Sequence, residues 1–161
     1  MGIEIERKFL VTGDAWRDLT TGSASLRQGY LSTSAKATVR IRLLDDTRAV
    51  LTLKGPTEGL VRSEFEYDVP LDEGRALLDM ARPHVVEKRR HIVPFGGHVW
   101  EIDVFEGAHE GLVLAEVELA SADEHVALPD WVGPEVSHDD RYANASLSRQ
   151  SGIPGVDPHA A

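Results

Sequence analysis

Ile3-Glu4-Ile5-Glu6-Arg7-Lys8-Phe9-Leu10-Val11 alternates apolar and charged side chains from its first residue. A period of two places successive side chains on opposite faces of an extended chain. Ile3 and Ile5 therefore share one face of a strand, and Glu4, Glu6 and Lys8 share the other. Further strands are expected over 25–31, 37–44, 48–54, 60–69, 85–93, 98–105 and 112–119, following the first over 1–11. Most are separated by short turn sequences: Asp45-Asp46-Thr47, Gly55-Pro56-Thr57-Glu58-Gly59 and Pro94-Phe95-Gly96-Gly97. Helical signals are few. They are a turn over 14–19, a helix over 72–80 with Asp72 as N-cap, and a weakly amphipathic stretch over 139–150. About eight strands joined by short turns predict an α+β, mainly β chain with an eight-stranded antiparallel closed barrel.

The polar positions of these strands carry like charges two residues apart. Glu4/Glu6, Glu64/Glu66, Glu101/Asp103 and Glu116/Glu118 are acidic pairs; Arg40/Arg42 and Lys88/Arg90 are basic. Each pair lies on one face of its strand, where unpaired like charges repel. The opposite faces are apolar, with Val39 and Ile41, Leu51 and Leu53, Phe65 and Tyr67, and Trp100, Ile102 and Val104. Two arrangements satisfy this pattern. Either the apolar faces point inward and the charges are solvated, or the charges line the lumen and the apolar exterior is covered. The second suits a highly anionic ligand with a divalent cation, since carboxylates hold hard cations and Arg and Lys hold phosphate oxygens.

Composition bounds the alternatives. The 161 residues fit one domain, over 1–150, with 151–161 expected as a flexible tail. There are 27 acidic and 17 basic residues, a formal net charge of -10, which argues against a nucleic-acid or anionic membrane partner. If the charged faces line the lumen, part of that acidic surplus lies inside the barrel. No cysteine is present, so thiolate metal sites, thiol nucleophiles and disulfides are excluded. No apolar run approaches the roughly 18 residues of a membrane span. Met1-Gly2-Ile3-Glu4 shows no basic region followed by an apolar one, so a cytoplasmic location is expected. The seven histidines are scattered without metal-ligand spacing, and Gly96-Gly97 is a turn rather than a phosphate loop.

The ordered series of motifs resembles the CYTH superfamily, the triphosphate tunnel metalloenzymes, and most of all its small bacterial inorganic triphosphatases. The likeness rests on Glu4-Ile5-Glu6-Arg7-Lys8, Arg27-Gln28-Gly29-Tyr30-Leu31, Val39-Arg40-Ile41-Arg42, Leu51-Thr52-Leu53-Lys54, Arg62-Ser63-Glu64-Phe65-Glu66, Val86-Glu87-Lys88-Arg89-Arg90, Trp100-Glu101-Ile102-Asp103, Glu116-Val117-Glu118 and Asp140-Arg141-Tyr142-Ala143-Asn144. It spans about residues 1–150. The resemblance implies that the charged faces line the tunnel and that a few helices cover the apolar outside. It implies Mg²⁺ or Mn²⁺ on Glu4, Glu6, Asp103, Glu116 and Glu118, with Glu64, Glu66 and Glu101 serving metal or orienting bases. Lys8, Arg40, Arg42, Lys54, Lys88, Arg90 and Arg141 would grip phosphates, with Lys88 and Tyr30 as the catalytic pair. The implied activity is hydrolysis of inorganic triphosphate to pyrophosphate and phosphate. Adenylate cyclase of class IV, thiamine or nucleoside triphosphatase, and a polyphosphate-binding module without turnover are the alternatives. The implied partner is a small triphosphate, and a homodimer stays open.

Overall fold

Eight antiparallel strands close on themselves in the computed structural model of the protein, which describes residues 2–34 and 36–156. They are β1 (Ile3–Val11), β2 (Gly22–Thr33), β3 (Thr38–Leu44), β4 (Arg48–Glu58), β5 (Val61–Val69), β6 (Val85–Phe95), β7 (His98–Phe105) and β8 (Val113–Glu118). Around the barrel the order is β1-β5-β4-β3-β2-β6-β7-β8, returning to β1. The closed, mainly antiparallel barrel is the architecture that the alternation predicts. The β6–β7 hairpin turns on Gly96 and Gly97, both with positive φ (60° and 81°), as a two-residue turn between Phe95 and His98 requires.

A ninth strand, β9 (Val132–Glu135), joins the edge of β1. Its sequence, Val132-Gly133-Pro134-Glu135, has neither alternation nor strand-forming composition, so tertiary pairing alone creates it. β1 thus uses one edge twice: Ile3, Glu4 and Ile5 pair with β5, and Phe9 and Val11 pair with β9. Helix α1 (Leu71–Ala81) matches its expected position, but Pro70 precedes it where Asp72 is expected as the cap. The helix expected over 139–150 is a correction. It resolves into a 3-10 turn (Asp140–Tyr142) and a four-residue α2 (Asn144–Leu147). Asp139 accepts from the Arg141 backbone N–H, and the Ser148 hydroxyl donates to the Ala145 carbonyl, so side chains compete with helix hydrogen bonds at both ends.

The outer faces are packed in two places. Leu78 of α1 lies on Ile41, Leu43 and Ala49 of β3 and β4. Phe9, Trp100, Ile102, Ala115 and Val117 lie beneath Trp16, Val126 and Trp131, which arrive from a 3-10 turn (Ala15–Leu19) and the irregular chain after β8. The outer face of β5 stays open, with Phe65 and Tyr67 exposed. A third cluster fills one end of the barrel interior. Val86, Phe105 and Leu114 share their strand faces with Lys88, Asp103 and Glu116, and Tyr142 and Leu147 close over them. Gly152 donates to the Ala108 carbonyl, and Ile153 packs on this cluster. Residues 157–161 of the expected tail lie outside the described residues.

Candidate active site

Strand parity sends the charges inward. On β1 the even residues Glu4, Glu6 and Lys8 face the lumen; on β7 the odd residues Glu101 and Asp103 do. The cross-strand register sets Lys8 against Glu116, Lys54 against Glu64, Glu4 against Arg62 and Arg90 against Asp103. Glu6 instead faces Glu118, an acid pair with no ion-pair partner among the described residues, whereas Glu101, facing Glu116, shares Arg90 with it at 3.2 and 3.8 Å. Of the residues singled out in the sequence, Glu4, Glu6, Lys8, Tyr30, Arg40, Arg42, Lys54, Glu64, Glu66, Arg90, Glu101, Glu116 and Glu118 line one cavity of about 290 Å³.

Three others sit elsewhere. Lys88 and Asp103 are buried below the cavity wall, Nζ to Oδ2 at 2.6 Å. Asp103 also receives Arg90 through both oxygens, at 2.8 and 2.9 Å. Both its oxygens are thus taken by cations. Arg141, expected on a phosphate, does not reach the lumen; it is exposed and forks onto Asp139 two residues away.

The remaining pairs are local. Lys54 Nζ lies 2.9 Å from Glu4 and 3.3 Å from Glu64. Lys8 is 3.5 Å from Glu116. Arg40 donates to the Thr52 hydroxyl at 3.1 Å, but its buried Nε has no partner. Arg42 donates to Gln28 Oε1 at 2.8 Å and, among the described residues, has no carboxylate partner. Burial, then the neighbouring Arg40 and Arg90, bring Arg42 down to about 9, so it remains a cation at neutral pH. A buried guanidinium surrounded by guanidiniums is complementary to an anion with several oxygens.

The acids divide into two groups. Burial raises Glu4, but hydrogen bonding from Glu64 and the Lys54 ammonium outweigh it and hold Glu4 at about 2. Burial likewise opposes ionisation of Glu116, and Lys8 and Arg90 overcome it, again to about 2. Glu64 moves the other way, to about 7, through burial and its hydrogen bond with Glu4. Glu6 is pushed well above the carboxylate range by burial and by Glu116 and Glu4; burial also raises Glu101. Glu6 and Glu118 suit a hard cation because they are carboxylates facing each other without a base between them. Among the described residues no three acidic or histidine side chains are gathered into a ready-made metal shell.

The CYTH domain family matches residues 2–150. The chain belongs to the CYTH family. It is 43% identical over 148 residues to an inorganic triphosphatase of Acetivibrio thermocellus, covering 91% of this chain and 94% of that one. It is 38% identical over 149 residues to an inorganic triphosphatase of Nitrosomonas europaea, covering 90% and 96%. The crystal structure of the inorganic triphosphatase NE1496 superposes with a TM-score of 0.66 at 34% identity, covering 94% of this chain and 100% of that one.

In this CYTH barrel the lumen also gathers residues not singled out in the sequence. Arg62 lines the cavity, donating to the Gly55 carbonyl and to the Thr38 hydroxyl. Its parity with Glu64 and Glu66 was a sufficient signal. Thr38 and Thr52 share faces with Arg40 and Lys54 by the same rule. Gln28 orients Arg42. Asn144 reaches the lumen from outside the barrel strands, and strand parity says nothing about it. Beside the main cavity a second space of about 330 Å³ opens onto Glu4, Glu6, Lys8 and Arg62, between Leu60 and His138.

Proposed function

We propose that this CYTH barrel hydrolyses inorganic triphosphate to pyrophosphate and phosphate with the help of a divalent cation. The observation that carries the reading is the pair Arg40 and Arg42: one has a buried, unpartnered Nε, and the other has no carboxylate. Buried donors left without acceptors are costly, and phosphate oxygens would supply them. The names borne by the two relatives at 43% and 38% identity support the same substrate.

Arg40, Arg42, Lys8, Lys54, Arg62 and Arg90 are the phosphate-binding set. They neutralise the chain oxygens and the charge that develops on the departing pyrophosphate. Glu6, Glu118 and Glu116 are the acids suited to Mg²⁺ or Mn²⁺. Asp103 is not, because Arg90 and Lys88 occupy both its oxygens. A divalent cation would neutralise phosphate oxygens and acidify water. In the reaction water adds to the terminal phosphorus, the bridging P–O bond breaks with its electron pair going to the departing pyrophosphate, and the water proton passes to a phosphate oxygen or to the solvent that fills the lumen. Tyr30 faces the lumen opposite Arg40 and is assigned to orient that water. Lys88 does not reach that water: it lies below the cavity wall, paired with Asp103 and donating to Asn144, and is assigned to position those two side chains.

The test offers tripolyphosphate, thiamine triphosphate and ATP with Mg²⁺ or Mn²⁺ and measures phosphate and cyclic AMP. Phosphate release fastest from tripolyphosphate supports the proposal; cyclic AMP as the main product overturns it. Arg40→Ala is expected to raise KM about tenfold to a hundredfold, the loss of one charged hydrogen-bonding group. Glu116→Gln is expected to abolish metal-dependent turnover without loss of the fold.

A further inference from the structure

Asn144 stands at the first position of α2, and its amide can be oriented from chemistry alone. Lys88 Nζ lies 3.0 Å from the Asn144 Oδ1. A lysine ammonium only donates, so the amide oxygen must face it. The Nδ2 group therefore points away from Lys88. Among the described residues no oxygen accepts from it, and Asn144 lines the lumen between Ala143 and Ala145. The two alanines offer no side-chain donor, so the Asn144 amide is the polar side chain this segment presents to the cavity. Lys88 stays behind it. Its side chain has no solvent exposure, held between Asp103 and the Phe105 ring.

We propose that Asn144 is a substrate-binding residue whose Nδ2 donates to a phosphate oxygen of the bound triphosphate while its Oδ1 holds Lys88. The inference rests on the triphosphatase reading of the site. Phosphate oxygens accept only, so two N–H donors on a neutral amide fit them without adding charge. One side chain then links the bound anion to a lysine that the cavity does not reach. Contact through Nδ2 fixes the oxygen on Lys88, and contact through Oδ1 keeps the donors in the lumen.

The test measures binding of tripolyphosphate by calorimetry without divalent cation, together with KM, kcat and Tm, for two variants. Asn144→Ala removes the donor and the acceptor. It is expected to weaken binding and raise KM about fivefold to tenfold, and to lower Tm because Lys88 loses an oxygen. Asn144→Asp is nearly isosteric and keeps an oxygen for Lys88, but it turns an anionic acceptor to the lumen. It is expected to keep Tm and to weaken binding more than alanine does. Binding unchanged within twofold in both variants overturns the proposal, even if kcat or Tm falls, because Asn144 then only supports Lys88. Arg40→Ala serves as the control. If the unaltered protein binds no tripolyphosphate, the triphosphatase reading and this inference fail together. If Arg40→Ala weakens binding and the Asn144 variants do not, this inference fails alone.

Discussion

Glu4 and Glu64 approach one another across the closing seam of the barrel and share Lys54. One ammonium cannot balance two buried carboxylates, so one acid ionises readily and the other retains its proton to about 7. The consequence for stability follows from proton binding. Between about 4.5 and about 7 the folded protein holds a proton on Glu64 that the unfolded chain has released. Glu64 therefore lowers stability as pH rises through that window. Glu64→Gln keeps a donor for Glu4 and removes the charge. Its Tm is expected to match the parent near pH 4.5 and to exceed it by a few degrees at pH 8, about 1–2 kcal/mol after allowance for partial exposure. Thermal melts across pH 4.5–8 check this; a constant difference across the range would remove the shared proton from the account.

At the scale of elements, α1 docks on the sheet through a glycine. A Cβ on Gly74 would stand 2.2 Å from the Ala49 Cβ and 3.2 Å from Leu43. Alanine favours the helix by about 1 kcal/mol over glycine, but the helix would have to lift from β3 and β4 to admit it. Gly74→Ala is therefore expected to destabilise by about 1–3 kcal/mol despite the propensity gain, and Ala49→Gly added to it to recover part of the loss. Urea melts of the two variants decide this. The same contrast explains what the sequence makes legible. Each strand that carries alternation is readable from its own residues, and so are its inward side chains, Glu4 through Glu118. Val132-Gly133-Pro134-Glu135 is a strand only because the edge of β1 is free there. Parity turns Asp103 inward and the family resemblance makes it a metal ligand, yet Arg90, opposite it in register, and Lys88, two residues along the same strand, claim it. Arg141 and Asn144 sit in one short segment, and only its path over the barrel end sends one to the solvent and the other to the lumen. Local periodicity encodes faces; which opposite charges meet is set by register and closure.

For the whole molecule, the net charge of -10 describes the exterior and not the lumen. Seven carboxylates and six cations line the cavity, so its formal balance is nearly even. Only a small part of the acidic surplus lies in the lumen, which is suited to an anion because, among the described residues, Arg40 and Arg42 keep donors free while Lys54, Lys8 and Arg90 hold Glu4, Glu64 and Glu116. The barrel that holds this lumen is not closed equally all round. β2 and β6 are matched over eight residues, whereas β1 and β5 are matched over three, from Ile3 opposite Ser63 to Ile5 opposite Val61. Lys54, reaching from β4 to Glu4, is the side-chain tie across that seam. Short pairing with few buried contacts opens first, so amide hydrogen exchange is expected to be faster at residues 3–5 and 61–63 than at 24–28 and 86–90. An anion gripped by Lys8 on β1 and by Arg40 and Lys54 on β3 and β4 would span the seam and favour its closed form. Tripolyphosphate is therefore expected to slow exchange at residues 3–5 and 61–63 more than elsewhere in the barrel. Uniform slowing of all strands, or protection of the seam equal to that of β2 and β6 before any ligand is added, would show that β1 and β5 are held by more than their three matched residues.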